Sequence, residues 1–508
     1  MTRVAVATTS AVAAGATTEV AAAGGNAVDC ALATAILSMN TEPGVCSFAG
    51  GAYVTIWAPD SEPVAIDGIH AVPGLGLDAA ERGHGAVPVE LEYGGGMTTI
   101  VGSGSVAVPG ALAAFEQAWR HYGNVSWDEI FRPAIRTTAD GFPLSASCHY
   151  YLGYCGERIY GRSKDGYHAL HTEDGNVRPK GSRIIVPHLS ESLEKIADGG
   201  ADVFYRGELA ERIIDHVRRG NGSLTARDMD EYEAIERPAL IAELGDWRIA
   251  TNPPPAVGGA VLAAMLLAFG ETEARSWNRE TLDRLVHVHR ACLDYRREHL
   301  DLTDEVGPEA AKLIEAATDG RLLSDFVSAS TVHTSAVDEN GLGCSITASA
   351  GYGAGEMPEG TGLWLNNGLG EVELNRRDVA SRPPGSRLPS NMAPTVARCE
   401  GGVLAIGSPG ADRITSAIHQ VLVNAVQFGM PLEDAIAHPR LHVDMSGSKD
   451  QLAAESGLDL PDTDLPVRRF DGINMYFGGV GAAHYDASTG FEIAADPRRE
   501  SGTLLYEG

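Results

Sequence analysis

Residues 330–349 read Ser-Thr-Val-His-Thr-Ser-Ala-Val-Asp-Glu-Asn-Gly-Leu-Gly-Cys-Ser-Ile-Thr-Ala-Ser, and no other stretch restricts the fold of this chain as much. Two short runs, 332–337 and 344–348, are rich in β-branched and small residues and flank Asn340-Gly341. Both turn residues tolerate positive φ, so the pair is the strongest short-range signal for a tight β-hairpin. Hydroxyls are mixed among the apolar side chains in both runs, and the small residues Ser328-Ala329-Ser330 precede Thr331. Taken alone, the pattern is a structural hairpin.

Composition narrows what such a hairpin can belong to. The chain has 508 residues, 44% of them apolar, which is enough for a large core and excludes global disorder. With 39 basic and 68 acidic residues the formal charge is −29, which argues against nucleic acid or an anionic membrane as partner. No apolar run reaches the roughly 18–20 residues needed to span a bilayer. The beginning, Met1-Thr2-Arg3-Val4-Ala5-Val6-Ala7, leads straight into domain-like sequence without the apolar core and cleavage site of a leader. Seven scattered cysteines suit a reducing compartment, so the expected location is cytoplasmic, although Cys148 and Cys155 could bridge in principle.

Along the chain, residues 10–40 are Ala-rich with helical spacing and are interrupted by Gly24-Gly25. Asn26 then predicts an N-cap, with Asp29 three residues on completing a capping box. Gly50-Gly51 leads into a strand, and 64–67 predicts another. Asn252-Pro253-Pro254-Pro255-Ala256-Val257-Gly258-Gly259 predicts a rigid extended approach, followed by a helix that glycine lets begin close to another backbone. Residues 279–300 predict a helix carrying His287, His289 and His299, without the spacing of a zinc site. Tyr150, Tyr151, Tyr154, Tyr160 and Tyr167 form an aromatic stretch suited to packing, an interface or a substrate wall. Gly407-Ser408-Pro409-Gly410-Ala411-Asp412-Arg413 precedes a helix with Ile414, Ala417, Ile418, Val421 and Ala425 on one face. Free N–H groups at such a helix start can stabilise an oxyanion.

In combination these motifs resemble the γ-glutamyltransferase (glutathione hydrolase) family of N-terminal nucleophile hydrolases. The resemblance rests on the 331–341 run and on Gly-Gly-Asn-Ala-Val-Asp at 24–29. It also rests on the 253–259 run, Leu365-Asn366-Asn367-Gly368-Leu369-Gly370-Glu371, Arg387-Leu388-Pro389-Ser390-Asn391-Met392-Ala393-Pro394-Thr395, Gly407–Gly410 and Ala494–Arg498, all in the family's order. It implies a four-layer αββα sandwich with antiparallel central sheets. It further implies a proenzyme that cuts itself between Ser330 and Thr331, giving a large piece, 1–330, and a small catalytic piece, 331–508.

The same resemblance assigns roles. Thr331 is the nucleophile, with its freed α-amine (pKa near about 8) as base. Ser349 is the hydroxyl that supports it, and Gly410 and Ala411 inherit the oxyanion hole. Asn367, Glu371, Ser390 and Asn391 are the substrate contacts, with Glu371 holding an ammonium and Asn391 standing for a second Ser. Several positions depart from the family pattern: Val332 replaces a Thr, Gly368 replaces a side chain, and Gly351 stands near a lost Asn. Most consequentially, Ile69 occupies the place of the Arg that clamps the substrate carboxylate, leaving His70 as a weak substitute.

The implied activity is therefore cleavage of a γ-glutamyl amide through an acyl-threonine intermediate passed to water or an amine, without metal or other cofactor. Alternatives are an acylase of the same family acting on another amide, such as oxamate or a β-lactam side chain, and an uncut binding protein without catalysis. The expected partners are a small-molecule amide, an amine or water acceptor, and the two pieces of the one precursor, with a homodimer of processed heterodimers left open.

Overall fold

The structure, a computed structural model, describes residues 2–92, 97–319, 331–372, 374–375, 382–445 and 450–508. Ser328, Ala329 and Ser330, which the cleavage expectation involves, lie outside the described residues.

Two antiparallel sheets form the centre. Their strands, in chain order, are β1 (Val4–Thr8), β2 (Gly51–Trp57), β3 (Val64–Gly68), β4 (Ile235–Pro238), β5 (Leu240–Leu244), β6 (Trp247–Thr251), β7 (Val332–Asp338), β8 (Gly343–Ser349), β9 (Thr395–Cys399), β10 (Gly402–Gly407), β11 (Gly481–Asp486), β12 (Gly490–Ala495) and β13 (Gly502–Tyr506). One sheet has the order β13-β1-β7-β8-β2-β3-β4, and the other β12-β11-β10-β9-β6-β5. Both sheets mix strands from before and after residue 331. A cut at that point would leave two pieces joined by strand pairing in both sheets.

The expected hairpin forms, but not with the expected turn. Val337 pairs with Gly343, Asp338 N–H donates to the Leu342 carbonyl, and only Gly341 (φ +84°) takes positive φ. The reason is Asp338, whose Oδ1 accepts from the N–H groups of Asn340 (2.9 Å) and Leu342 (3.2 Å). This side-chain turn outcompetes a two-residue Asn-Gly loop.

Alternation along β7 and β8 sorts their side chains. Val332, Ala336, Cys344, Ile346 and Ala348 join the core under a helical layer, whereas Val337 packs with Ala5, Val396, Val403 and Ala405 between the sheets. The alternating hydroxyls bind across that gap. Ser335 Oγ donates to the Gly481 carbonyl (3.1 Å), Ser345 Oγ to that of Ile406 (3.0 Å), and Thr55 Oγ1 to that of Pro394 (2.9 Å).

Helices cover both outer faces. On the seven-stranded sheet lies α1 (Ala27–Thr41), every residue of which is buried. A helix enclosed all round must be apolar or satisfy its polar groups internally. Accordingly Asn40 Nδ2 and Thr41 Oγ1 donate to the carbonyls four residues back, at 2.7 and 2.8 Å. Its start carries the capping box that Asn26 and Asp29 predict. The other face is covered by α2 (Val257–Phe269) and α3 (Arg413–Leu422), which pack with Ile249, Leu404 and Ile406. These four layers are the αββα sandwich. Among the described residues no helix is long and apolar enough to cross a membrane, and all seven cysteines are unbridged.

Candidate active site

The pairing of Val332 with Ala348, continued by one residue, sets Thr331 opposite Ser349 at the end of the central hairpin. Both are buried, and both line one narrow pocket with Ile69, His70, Gly368, Glu371, Leu374, Leu388, Pro389, Ser390, Asn391, Met392 and Ile414. The pocket holds about 20 Å³, room for a single water. Thr331, Ser349, His70, Glu371, Ser390 and Asn391, separated by up to 321 residues, are thus brought together.

The floor is set by the Pro-rich approach to α2. Val257 and Gly258 at its start each donate an N–H to the Ser390 carbonyl at 3.0 Å. A Cβ at Gly258 would lie 2.1 Å from the Asn391 carbonyl oxygen, so glycine is what lets the helix start this close. Ser390 Oγ accepts from Met392 N–H (3.2 Å), and the His70 carbonyl accepts from Leu388 N–H (2.9 Å). The segments bearing His70 and Asn391 are therefore fastened side by side.

His70 is buried, its ring lies against Gly368, where any Cβ would come within 3.1 Å, and its Nε2 has no hydrogen-bond partner. Burial pushes its pKa down to about 3, so it is a neutral imidazole. Asn391 donates from Nδ2 to Asp412 Oδ1 (3.1 Å), while its Oδ1 is buried without a partner. Both atoms belong to residues that line the pocket.

Asn367 and the oxyanion pair lie off the pocket wall. Asn367 Oδ1 accepts from Tyr352 N–H (2.7 Å), and its Nδ2 donates to Thr99 Oγ1 (3.1 Å) and the Ile100 carbonyl (3.0 Å). Its amide is committed to the scaffold. Gly410 (φ +123°) and Ala411 (φ +69°) form the left-handed turn before α3, whose Ile414 does line the pocket. Left-handed φ in a non-glycine residue costs of order 1 kcal/mol, which suits a turn held for its N–H directions.

The departures have physical explanations. Gly351 (φ +63°) backs onto Asn367 and Glu371: a Cβ there would lie 2.3 Å from Asn367 Oδ1. Asn367 occupies the volume a residue at 351 would need. Val332 packs into the helix-side core. Of the aromatic stretch, Tyr151 stacks on Tyr352 and Tyr160 on the edge of Trp364, and none of the five tyrosines lines the pocket.

Sequence reasoning missed Asp412. It stands where a helix would be capped, yet its side chain makes no cap and lies 3.6 Å from Arg296, itself bound to Asp301 at 3.0 Å. Burial raises its pKa to about 7, against the pull of Arg296 and Arg413. The only sequence signal was an acid directly after Gly410-Ala411. His289 meets His419 (Nε2 to Nδ1, 3.0 Å) in a buried pair.

A family model described as "Gamma-glutamyltranspeptidase" matches residues 13–506. The glutathione hydrolase proenzyme of Pseudomonas aeruginosa is 27% identical over 83% of this chain and 79% of its own. That of Escherichia coli is 26% identical, over 87% and 80%. An acylase ACY 1 proenzyme of a Pseudomonas species is 28% identical, over 82% and 78%. Among solved structures, a cephalosporin acylase from Bacillus halodurans superposes over 100% of this chain and 96% of its own, with a TM-score of 0.79 and 21% identity.

Proposed function

The chain belongs to the gamma-glutamyltranspeptidase family and is an enzyme, and on that premise we propose that it is a self-cleaving amide hydrolase or acyltransferase working through Thr331. The observation that carries this reading is the register of the central hairpin, which sets Thr331 beside Ser349 in a pocket lined by Glu371, Ser390 and Asn391.

Maturation would begin with attack of Thr331 Oγ on the Ser330 carbonyl. The peptide nitrogen leaves as the Thr331 α-amine, and water then hydrolyses the resulting ester, freeing both the hydroxyl and the carboxylate of Ser330. In turnover the α-amine takes the hydroxyl proton while Oγ adds to the substrate amide carbonyl. The N–H groups of Gly410 and Ala411 receive the oxyanion, the departing amine takes the proton back, and an acyl ester on Thr331 remains. Water or a second amine resolves it. Ser349 orients the nucleophile.

Retained Glu371 supports a γ-glutamyl amide as substrate, through its ammonium. A second reading, another acyl amide, is supported by Ile69 and by the bond that occupies Asn391's amide. A cytoplasmic location is supported by seven cysteines that remain thiols.

The test is an intact mass spectrum of freshly purified protein beside Thr331→Ala. Two fragments meeting at Ser330/Thr331, absent from the variant, are the expected result. A chain that stays whole over days and across pH would sink the reading.

A further inference from the structure

The proposed reaction leaves open what the pocket holds on the acyl side, and the groups facing it narrow the choice. Among the described residues its wall contains no arginine or lysine; the polar groups are Glu371, Ser349, Ser390, Thr331, neutral His70 and Asn391. Asn391 is the informative one, because an amide side chain has a donor end and an acceptor end. Which end faces the pocket depends on what the other end touches.

That other partner is Asp412. In its ionised form Asp412 only accepts hydrogen bonds, and Asn391 turns its NH₂ toward Asp412 Oδ1, 3.1 Å away, which leaves its own carbonyl Oδ1 without a partner. Asp412 is in turn held in place by Arg296 at 3.6 Å, and Arg296 by Asp301. The second unpartnered atom, His70 Nε2, belongs to a neutral ring that can donate from that nitrogen. Of these two unpartnered atoms, one is a buried acceptor and the other a neutral donor. An anionic group placed there would meet the Asn391 oxygen directly, and no arginine or lysine among the described lining residues would pair with it.

Resting on the acyl-threonine reading, we infer that this subsite takes an uncharged carboxamide, or a group of the same donor–acceptor chemistry, in place of a carboxylate. Its NH₂ donates to Asn391 Oδ1 and its carbonyl accepts from His70 Nε2. Asn391 and His70 are the specificity-determining contacts, and Asp412 is a positioning residue that acts through Asn391.

The test uses the self-cleaved enzyme and two probes that differ at one group: γ-glutamyl-p-nitroanilide and the same compound with its α-carboxylate converted to the carboxamide. The carboxamide is expected to be cleaved with a kcat/KM at least about tenfold higher, the difference lying mainly in KM. In Asp412→Asn the neighbour of Asn391 can donate as well as accept, so the amide is free to turn and the ratio should fall to within about threefold of unity with kcat for the carboxamide little changed. The wild-type ratio stands as a test even if that variant folds poorly. Equal or better cleavage of the carboxylate probe overturns the assignment. So does undiminished discrimination in a folded Asp412→Asn, and so does a self-cleaved enzyme that turns over neither probe. Failure of self-cleavage is a different result: it removes the acyl-threonine reading itself, and the mass spectrum of the same sample shows it before any probe is added.

Discussion

Two buried histidines, His333 within the central hairpin and His70 in the pocket at its end, have opposite surroundings. Burial pushes both pKa values down to about 3. His333 lies between the sheets, with Nδ1 3.0 Å from Thr347 Oγ1 and Nε2 2.7 Å from Ser335 Oγ. Ser335 gives its single proton to the Gly481 carbonyl, so Nε2 of His333 must carry the hydrogen and Thr347 must donate to Nδ1. Every valence there is filled from within the fold. His70, equally dry, keeps an Nε2 with no partner. A filled polar network specifies packing, whereas an unfilled one keeps an energetic cost that a bound molecule can relieve. Burial alone distinguishes neither histidine; satisfaction does.

Substitutions can break that contrast or sharpen it. The largest effect belongs to Thr331→Ala, which should abolish self-cleavage and lower amide hydrolysis by about 10³-fold or more, with little change in unfolding midpoint. Mass spectrometry, a rate assay and a denaturant melt check the three parts. His333→Leu should leave activity per folded molecule intact but destabilise by about 3 kcal/mol, since Thr347 and Ser335 lose their partner in a dry interior. Guanidinium unfolding measures it.

Gly351→Ala should cost about 2 kcal/mol, because the residue adopts φ +63° and a methyl there meets Asn367 Oδ1. A thermal melt that does not move would contradict the packing described. His70→Leu should do the reverse of its counterpart at 333. Stability is unchanged or slightly raised, because an unpartnered group is removed, while kcat/KM falls about tenfold, chiefly through KM.

The smallest effect concerns pH. Asp412 is packed among Arg296, Arg413, Asp301 and Asp444, and its pKa is raised to about 7. Its charge is present above that value and lost as pH falls through it. A protonated Asp412 can donate to the Asn391 oxygen, so the preference for carboxamide over carboxylate should shrink a fewfold between pH 8 and pH 6. Parallel kcat/KM profiles for the two probes would show whether it does.

Much of this molecule could be read along the chain. The capping box at Asn26 and Asp29, the glycine stop before it, the hairpin at 332–349 and the close approach at Gly258 are local events, and the sequence signals for them are local. The order of motifs carried the family and the four-layer fold. Thr331 and Ser349 were singled out by the resemblance to that family, and one hairpin register sets them side by side.

What the tertiary structure alone decided was which polar groups are used up. Asn366 and Asn367 are adjacent in a motif that pointed to substrate, yet their amides bind Ala49, Ala107, Thr99, Ile100 and Tyr352. Asn391 keeps a free oxygen only because Asp412, 21 residues later, holds its nitrogen. Even the turn at Asn340-Gly341 was settled by the carboxylate of Asp338. Sequence specifies which donors and acceptors exist and how the backbone is disposed to run. Their pairing depends on groups brought within about 3 Å from distant segments, and hydrogen bonding is too short-ranged and directional to be read from one strand of text.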